Sequence, residues 1–426
     1  MQVNELLQKF GSFLSSKFIS NQIFLQGVKR YETVFLAEFQ RHGARSHYED
    51  NVPKAFFDGA KKGHLTRRGR IDQIRIGQAR RQEYVEDKQF LSPDYNPKEI
   101  LSISTFKQRC LDSGRHYLQG LYPLQSHKFD QEIDHHKLEN SPLRGTMFEI
   151  MLDLISNKTE QCIPGPVIEI DHTVDLMMHT RNCRTLHKYL NEDQFDVELL
   201  ENMMTDYFGD NVINATKDVL EEYFQKNITK LRQFFTLLDA TVAEHYQTEH
   251  PQIRHFQRQE CFILANNFVG PEEIHANVFV SRVLVPAFNL IENAKKLLDQ
   301  GIPFDIKFLH VTFHDTNLSN LLRFLKYFET YGFDKFVRFS SSLRFELLRD
   351  IKHEQALKDH ENDSEYRFRV VFDNEELKLP FCSDVLCRYD EFMAYLRKEM
   401  IFDYDTINKY CDGGMGNDYV NELKFK

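Results

Sequence analysis

The residues able to do chemistry gather at three places. The first is Arg41-His42-Gly43-Ala44-Arg45. It closes an apolar run, Val34, Phe35, Leu36, Ala37 and Phe39, that reads as a strand covered on both faces. Arginine presents a planar fork of donors that fits phosphate oxygens. An imidazole that titrates near neutrality can be uncharged, and so nucleophilic, at working pH. A histidine between two arginines at a strand's end is therefore a candidate phosphoryl acceptor, at the edge of an α/β sheet where ligands bind. The second place is Ser104-Thr105, closing a strand from Glu99, with Arg109 on the first turn of the next helix. The third is His314-Asp315-Thr316, closing a strand over Phe304 to Phe313. If these edges lie side by side, three arginines and two histidines converge on one volume with one carboxyl group. Such a concentration of positive charge calls for an anion, and a helix start adds backbone amides to its pocket.

An α/β frame is needed to hold them. Thr66 reads as the N-cap of a helix from Arg67 to Tyr84, with Gly69 and Gly77 on one face for close approach to the sheet. A helix from Arg109 to Tyr122 follows the second strand, and Pro166 to Val174 alternates as a further strand. From Asn182 to Gln257 the pattern is helical, with Leu220, Tyr223, Phe224, Ile228, Leu231, Phe235, Leu238 and Val242 as core positions. Helices are expected over Ala276 to Gly301 and Asn317 to Tyr331, and strands over Val337 to Leu348 and Tyr366 to Phe372. Cys382 to Cys411 reads as an irregular tail with a short helix near Glu391 to Met400. Strands and helices alternate in the outer thirds, and helices dominate the middle. That pattern is a three-layer α/β/α core with an inserted, mainly helical cap. The expected divisions are an N-terminal extension at 1–30, core at 31–181, cap at 182–257 and core again at 258–426.

Composition excludes several alternatives. The 426 residues suit one large α/β domain with an insertion, and 41% hydrophobic residues with 37 phenylalanines are ample for its core. No apolar run approaches the ~20 residues that cross a bilayer. A net charge of −10 argues against nucleic acid or an anionic membrane as the partner. The basic residues Lys61, Lys62, Arg67, Arg68, Arg70, Arg75, Arg80 and Arg81 read mostly as a solvated helix face. Residues 1 to 30 contain no clean apolar signal-peptide core. Five glycosylation sequons begin at Asn157, Asn214, Asn227, Asn317 and Asn362, and matter only on the secretory route. His135-His136 and the scattered histidines lack metal-ligand spacing. A metal-dependent phosphohydrolase would carry its His-Asp pair on a helix, whereas His314-Asp315 follows a strand.

Together these motifs resemble the histidine acid phosphatases, the larger clade of the histidine phosphatase superfamily. Arg-His-Gly-x-Arg stands at Arg41 to Arg45, Leu-Thr-x-x-Gly at Leu65 to Gly69, Ser-Thr-x-x-x-Arg at Ser104 to Arg109, and His-Asp-Thr at His314 to Thr316. Gly120-Leu121-Tyr122-Pro123 and Ser341-Ser342 also fit, so the likeness runs from Thr33 to Cys411 and is weakest in the cap. The resemblance implies a phosphoglycerate-mutase-like core and a phosphomonoester hydrolase active at acid pH. His42 would form a phosphohistidine. Arg41, Arg45, Arg109 and His314 would hold the phosphoryl oxygens, and Asp315 would donate a proton and then activate water. No metal or other cofactor is expected, nor any nucleic acid or obligatory membrane partner; the substrate would be a small phosphorylated molecule, and a homodimer stays open. The resemblance also implies a lysosomal or secreted home and, in an oxidising compartment, a disulfide Cys183–Cys411; Cys382 and Cys387 are close enough in sequence to close a small ring there. Two departures are His47, where the family has proline, and Cys110, where it has threonine. A phytase-like inositol-polyphosphate phosphatase is the alternative, and a non-catalytic binder of phosphorylated ligands a weaker one.

Overall fold

Strand β1, Tyr31–Arg41, lies in the middle of the sheet, and its alternating side chains define the layers. Phe35, Ala37 and Phe39 face one side, in a core shared with Phe288 and Phe392. Leu36 faces the other, with Tyr84, Tyr117 and Leu118. Each fully buried side chain of this kind contributes about 1.5–3 kcal/mol. The computed structural model describes residues 30–47, 60–123, 167–170, 183–185, 197–209, 212–229, 231–248, 253–267, 273–333, 336–351 and 365–412. Residues 171–174, His135, His136, Cys162 and the sequons at Asn157 and Asn362 lie outside them, as does the segment 1–29.

Five further elements frame the site: α1 (Arg67–Arg80), β2 (Ile100–Thr105), α2 (Gln108–Leu121), β3 (Val167–Ile170) and, after a run of helices, β4 (Phe308–Phe313). Those helices are α3 (Val197–Phe208), α4 (Val212–Phe224), α5 (Leu231–Thr248), α6 (Ile253–Asn267) and α7 (Glu273–Asp299). Then come α8 (Asp315–Phe324), α9 (Tyr327–Tyr331), β5 (Ser342–Asp350), β6 (Tyr366–Phe372), β7 (Glu375–Glu376), β8 (Leu386–Arg388), α10 (Tyr389–Glu399) and α11 (Tyr404–Cys411). The sheet is mixed, in the order β3-β2-β4-β1-β5-β6-β7, with β8 also on β6. β3, β2, β4 and β1 run parallel, while β5 and β6 run antiparallel. The α/β/α class expected from the alternation is what is found. No described helix is long and apolar enough to cross a membrane.

Several local expectations change. Gly77 does close on a neighbour, but on α2 rather than the sheet. A Cβ there would meet Tyr117 O at 2.0 Å, and one at Gly120 would meet Ile74 O at 2.1 Å. Gly77→Ala is therefore expected to force α1 and α2 apart and to lower stability by about 1–3 kcal/mol. An unchanged urea midpoint would contradict this. Arg80 is not on a solvated face: it is buried, with Nε donating to Glu38 Oε1 at 3.0 Å, and Tyr117 donates to the same carboxylate at 2.6 Å. Tyr223 is half exposed, not core. The helix expected over 317–331 breaks at Lys326, and β5 begins only after Ser340, both residues having left-handed backbone. The tail is less irregular than expected, because Asp403 caps α11 by accepting from Thr406 N at 3.0 Å. Asn317 is buried in the first turn of α8, so that sequon cannot carry a glycan in the folded chain. Disulfides Cys183–Cys411 and Cys382–Cys387 anchor the tail, the first across 228 residues. Closing so long a loop restricts the unfolded chain by about 2–4 kcal/mol.

Candidate active site

Register brings the three strand ends together. β4 lies between β1 and β2, with Phe313 opposite Arg41 and Thr312 opposite Ser104. The residues just beyond, His42 and His314, are thereby neighbours, with ring centroids 5.5 Å apart. His42 N donates to Phe313 O at 3.0 Å, which locks the two turns. The turn after β1 is held by the Leu65-Thr66 segment. Arg45 bridges Leu65, and Thr66 N donates to Ala44 O at 2.9 Å. Gly43 and Gly69 meet where no side chain fits, since a Cβ at Gly69 would lie 2.1 Å from Ala44 O. His47, in place of proline, is buried, and the loop beside it is tied by Ser46 Oγ donating to Lys61 O at 2.6 Å.

The hydrogen bonds of His42 define its chemistry. Nδ1 lies 2.9 Å from Gly43 O. A carbonyl can only accept, so Nδ1 carries the proton and Nε2 is left with a bare lone pair. Burial first, then Arg109, His314, Arg41 and Arg45, pull this imidazole well below its ordinary 6.5. Its neutral form is therefore favoured. His314 is the complement. Its Nδ1 accepts from Arg109 Nη2 at 3.1 Å, so neutral imidazole carries its proton on Nε2, 3.4 Å from Thr105 Oγ1. Burial and Arg109 push it well below its ordinary value too, against the pull of Asp315. Cys110 packs at its ring, 3.8 Å away.

Arg41 is fully buried. Its Nη1 donates to Val337 O at 2.9 Å, its Nη2 pairs with Asp315, and its guanidinium stacks 4.1 Å over Phe339. Asp315 starts α8 directly after β4. Burial would raise its carboxyl, but Arg41, His314 and Arg45 bring it down to about 2. The structure thus gathers Arg41, His42, Arg45, Arg109, His314 and Asp315 at one edge.

It also adds two carboxyl groups that sequence reasoning missed. Both carboxylate oxygens of Asp239 of α5 accept from Arg45 Nη2, at 2.7 and 2.8 Å. Glu260 of α6 lies 4.0 Å from Arg41 Nη1. The signal was present: each is a lone acid beside apolar residues on a helix, in Leu237-Leu238-Asp239-Ala240 and Glu260-Cys261-Phe262-Ile263.

Comparison with known proteins gives a family and a fold. A family model described as histidine phosphatase superfamily (branch 2) matches residues 8–373. The chain is 41% identical over 81 residues to mouse (Mus musculus) lysophosphatidic acid phosphatase type 6, a match covering 19% of each chain. It therefore spans about a fifth of that relative's length. A longer match, 21% identical, covers 92% of this chain and 83% of a Dictyostelium discoideum protein named probable acid phosphatase. Among solved structures, the Hafnia alvei phytase with myo-inositol hexakis sulphate superposes with a TM-score of 0.54 at 14% identity, covering 87% of this chain and 98% of that one. The Citrobacter braakii phytase gives 0.53 at 14% identity, over 89% and 99%. These likenesses show the fold.

Proposed function

The chain belongs to branch 2 of the histidine phosphatase superfamily, and from that premise we propose that it hydrolyses phosphomonoesters through a phosphohistidine on His42, without a metal. The observation that carries this reading is the Nδ1–Gly43 O hydrogen bond, which leaves Nε2 unprotonated among three guanidiniums. Arg41, Arg45 and Arg109, with His314 Nε2–H, bind the three phosphoryl oxygens and oppose the charge that spreads over them in transfer. Nε2 bonds phosphorus as the ester bond breaks. Asp315 gives a proton to the departing oxygen, then takes one from the water that hydrolyses the intermediate. The pH dependence follows in sign. The nucleophile must be unprotonated, so the acid limb falls well below 6.5. The donor must be protonated, so activity declines as pH rises.

Two results test this reading. Turnover is expected to persist in chelator, because the arginines supply the charge a metal supplies elsewhere. Arg109→Lys is expected to lose about 10²-fold, since a point charge cannot reproduce a fork that reaches both His314 and a phosphoryl oxygen. Loss of activity in chelator with recovery on Zn²⁺ would overturn the arginine clamp. The His-Asp-Thr motif favours general phosphomonoesters over inositol polyphosphates. A panel of alkyl, aryl, lysophospholipid and inositol phosphates on the purified protein identifies the preferred class.

A further inference from the structure

The resting site poses a problem for its own chemistry. Asp315 is ion-paired with Arg41 and holds no proton, yet a leaving oxygen needs one. Beside it stand Glu260 and Asp239, and one oxygen from each of the three carboxyl groups lies within 4.8 Å of the others. Glu260 is 1% exposed, and its Oε1 meets no hydrogen-bond donor among the described residues. What lies within hydrogen-bonding reach is Asp239, whose own oxygens both accept from Arg45. Two acceptors that close need one proton between them. The groups facing Glu260 are Arg41 from β1, Asp239 from α5 and Asp315 from α8. Burial first, with Asp239 and Asp315, pushes its carboxyl well above the ordinary value, against the pull of Arg41. A divalent cation fits these carboxylates less well, because Arg41 and Arg45 already oppose two of them.

We propose that Glu260 stores the proton Asp315 uses, passing it across when the substrate's phosphoryl group takes over Arg41. The proposal rests on the phosphohistidine reading. Once phosphoryl oxygens occupy Arg41, Asp315 loses its counter-ion. The Glu260 O–H bond then breaks and an Asp315 O–H bond forms, directly or across one water, leaving a Glu260 carboxylate 4.0 Å from Arg41. His42 Nε2 bonds phosphorus, the P–O bond breaks, and the departing oxygen takes the Asp315 proton. In the second half, water gives its proton to Asp315 and its oxygen to phosphorus as the N–P bond breaks. When phosphate leaves, the proton returns to Glu260 and Asp315 pairs again with Arg41. Each turnover consumes one water and leaves Glu260 as it began. Glu260 touches no reacting atom; it is a positioning residue that acts through Asp315.

Glu260→Gln keeps the shape and cannot give up a proton. With an alkyl phosphate at neutral pH, kcat/KM is expected to fall about 10- to 100-fold, within the ~10²–10⁴-fold range of general acid catalysis. The loss should shrink in acid, where solvent protonates Asp315, and be much smaller with an aryl phosphate, whose phenolate leaves unaided. Glu260→Asp should recover part of it. No loss, or equal losses on both substrates at every pH, would overturn the proton store. Acid-labile phosphate on His42 is measured in the same samples. If wild type and Glu260→Gln both trap it but leaving-group dependence is unchanged, the store alone fails; if wild type traps none, the phosphohistidine reading fails and takes the store with it. Infrared spectra of wild type need no variant to fold. A buried protonated carboxyl band at neutral pH is expected, and its absence would also overturn the proposal.

Discussion

His42→Ala is expected to remove nearly all turnover of every phosphomonoester, on the order of 10⁶-fold, the scale reached when a nucleophile is deleted. The neighbouring cations and His314 are not placed to take over its role. Arg41 is held by Asp315 and Val337, Arg45 by Asp239, and guanidinium is no nucleophile. His314 shares the pocket, but its Nδ1 lone pair already accepts from Arg109. The variant should still fold, because the deleted ring leaves no charge without its partner. A circular dichroism melt checks that point, and a steady-state assay against several esters checks the loss. Residual activity above about 10⁻³ of wild type in a folded variant would mean that water attacks phosphorus directly.

Asp315→Asn should behave differently from His42→Ala. Asparagine keeps the side chain's shape but cannot give a proton to a leaving oxygen. With an alkyl phosphate, whose alkoxide leaves poorly, kcat/KM should fall by about 10²–10⁴-fold. With p-nitrophenyl phosphate the first step should slow much less. The second step also loses its base, so intermediate should accumulate with the aryl substrate. The substitution removes the carboxylate paired with a buried arginine as well, which costs stability. Rates are therefore compared only where both variants are folded. Equal losses on both substrates would leave Asp315 an electrostatic role and remove it as proton donor.

The parts of this site that could be read from sequence are those in which local chain chemistry sets geometry. Arg41 and His42 end a strand, and a glycine at 43 lets the turn pass Gly69. Asp315 is the first residue of a helix directly after a strand. Short motifs capture such features because their parts are neighbours in the chain. Asp239 escaped because its partner, Arg45, is 194 residues away, and only the packing of α5 over β1's end joins them. The buried pair Glu38–Arg80 escaped for the same reason. Glu38 stood in an apolar run and Arg80 in a basic helix, and only the sheet-to-helix contact makes each the other's counter-ion. Sequence alone starts strand β5 too early, because Phe339 and Val337 are as apolar as a strand requires; the left-handed turn at Ser340 interrupts them. That turn holds Phe339 under Arg41.

In the proposed reaction His42 carries the phosphoryl group between the two half-reactions. Rapid acid-free quenching of Asp315→Asn during turnover of a radiolabelled aryl phosphate tests it most directly, followed by digestion and identification of the labelled peptide. The expected result is phosphate that is stable in base, labile in acid and located on His42, at close to one per chain. Label on another residue, or none on either Asp315→Asn or wild type while product still forms, would contradict it.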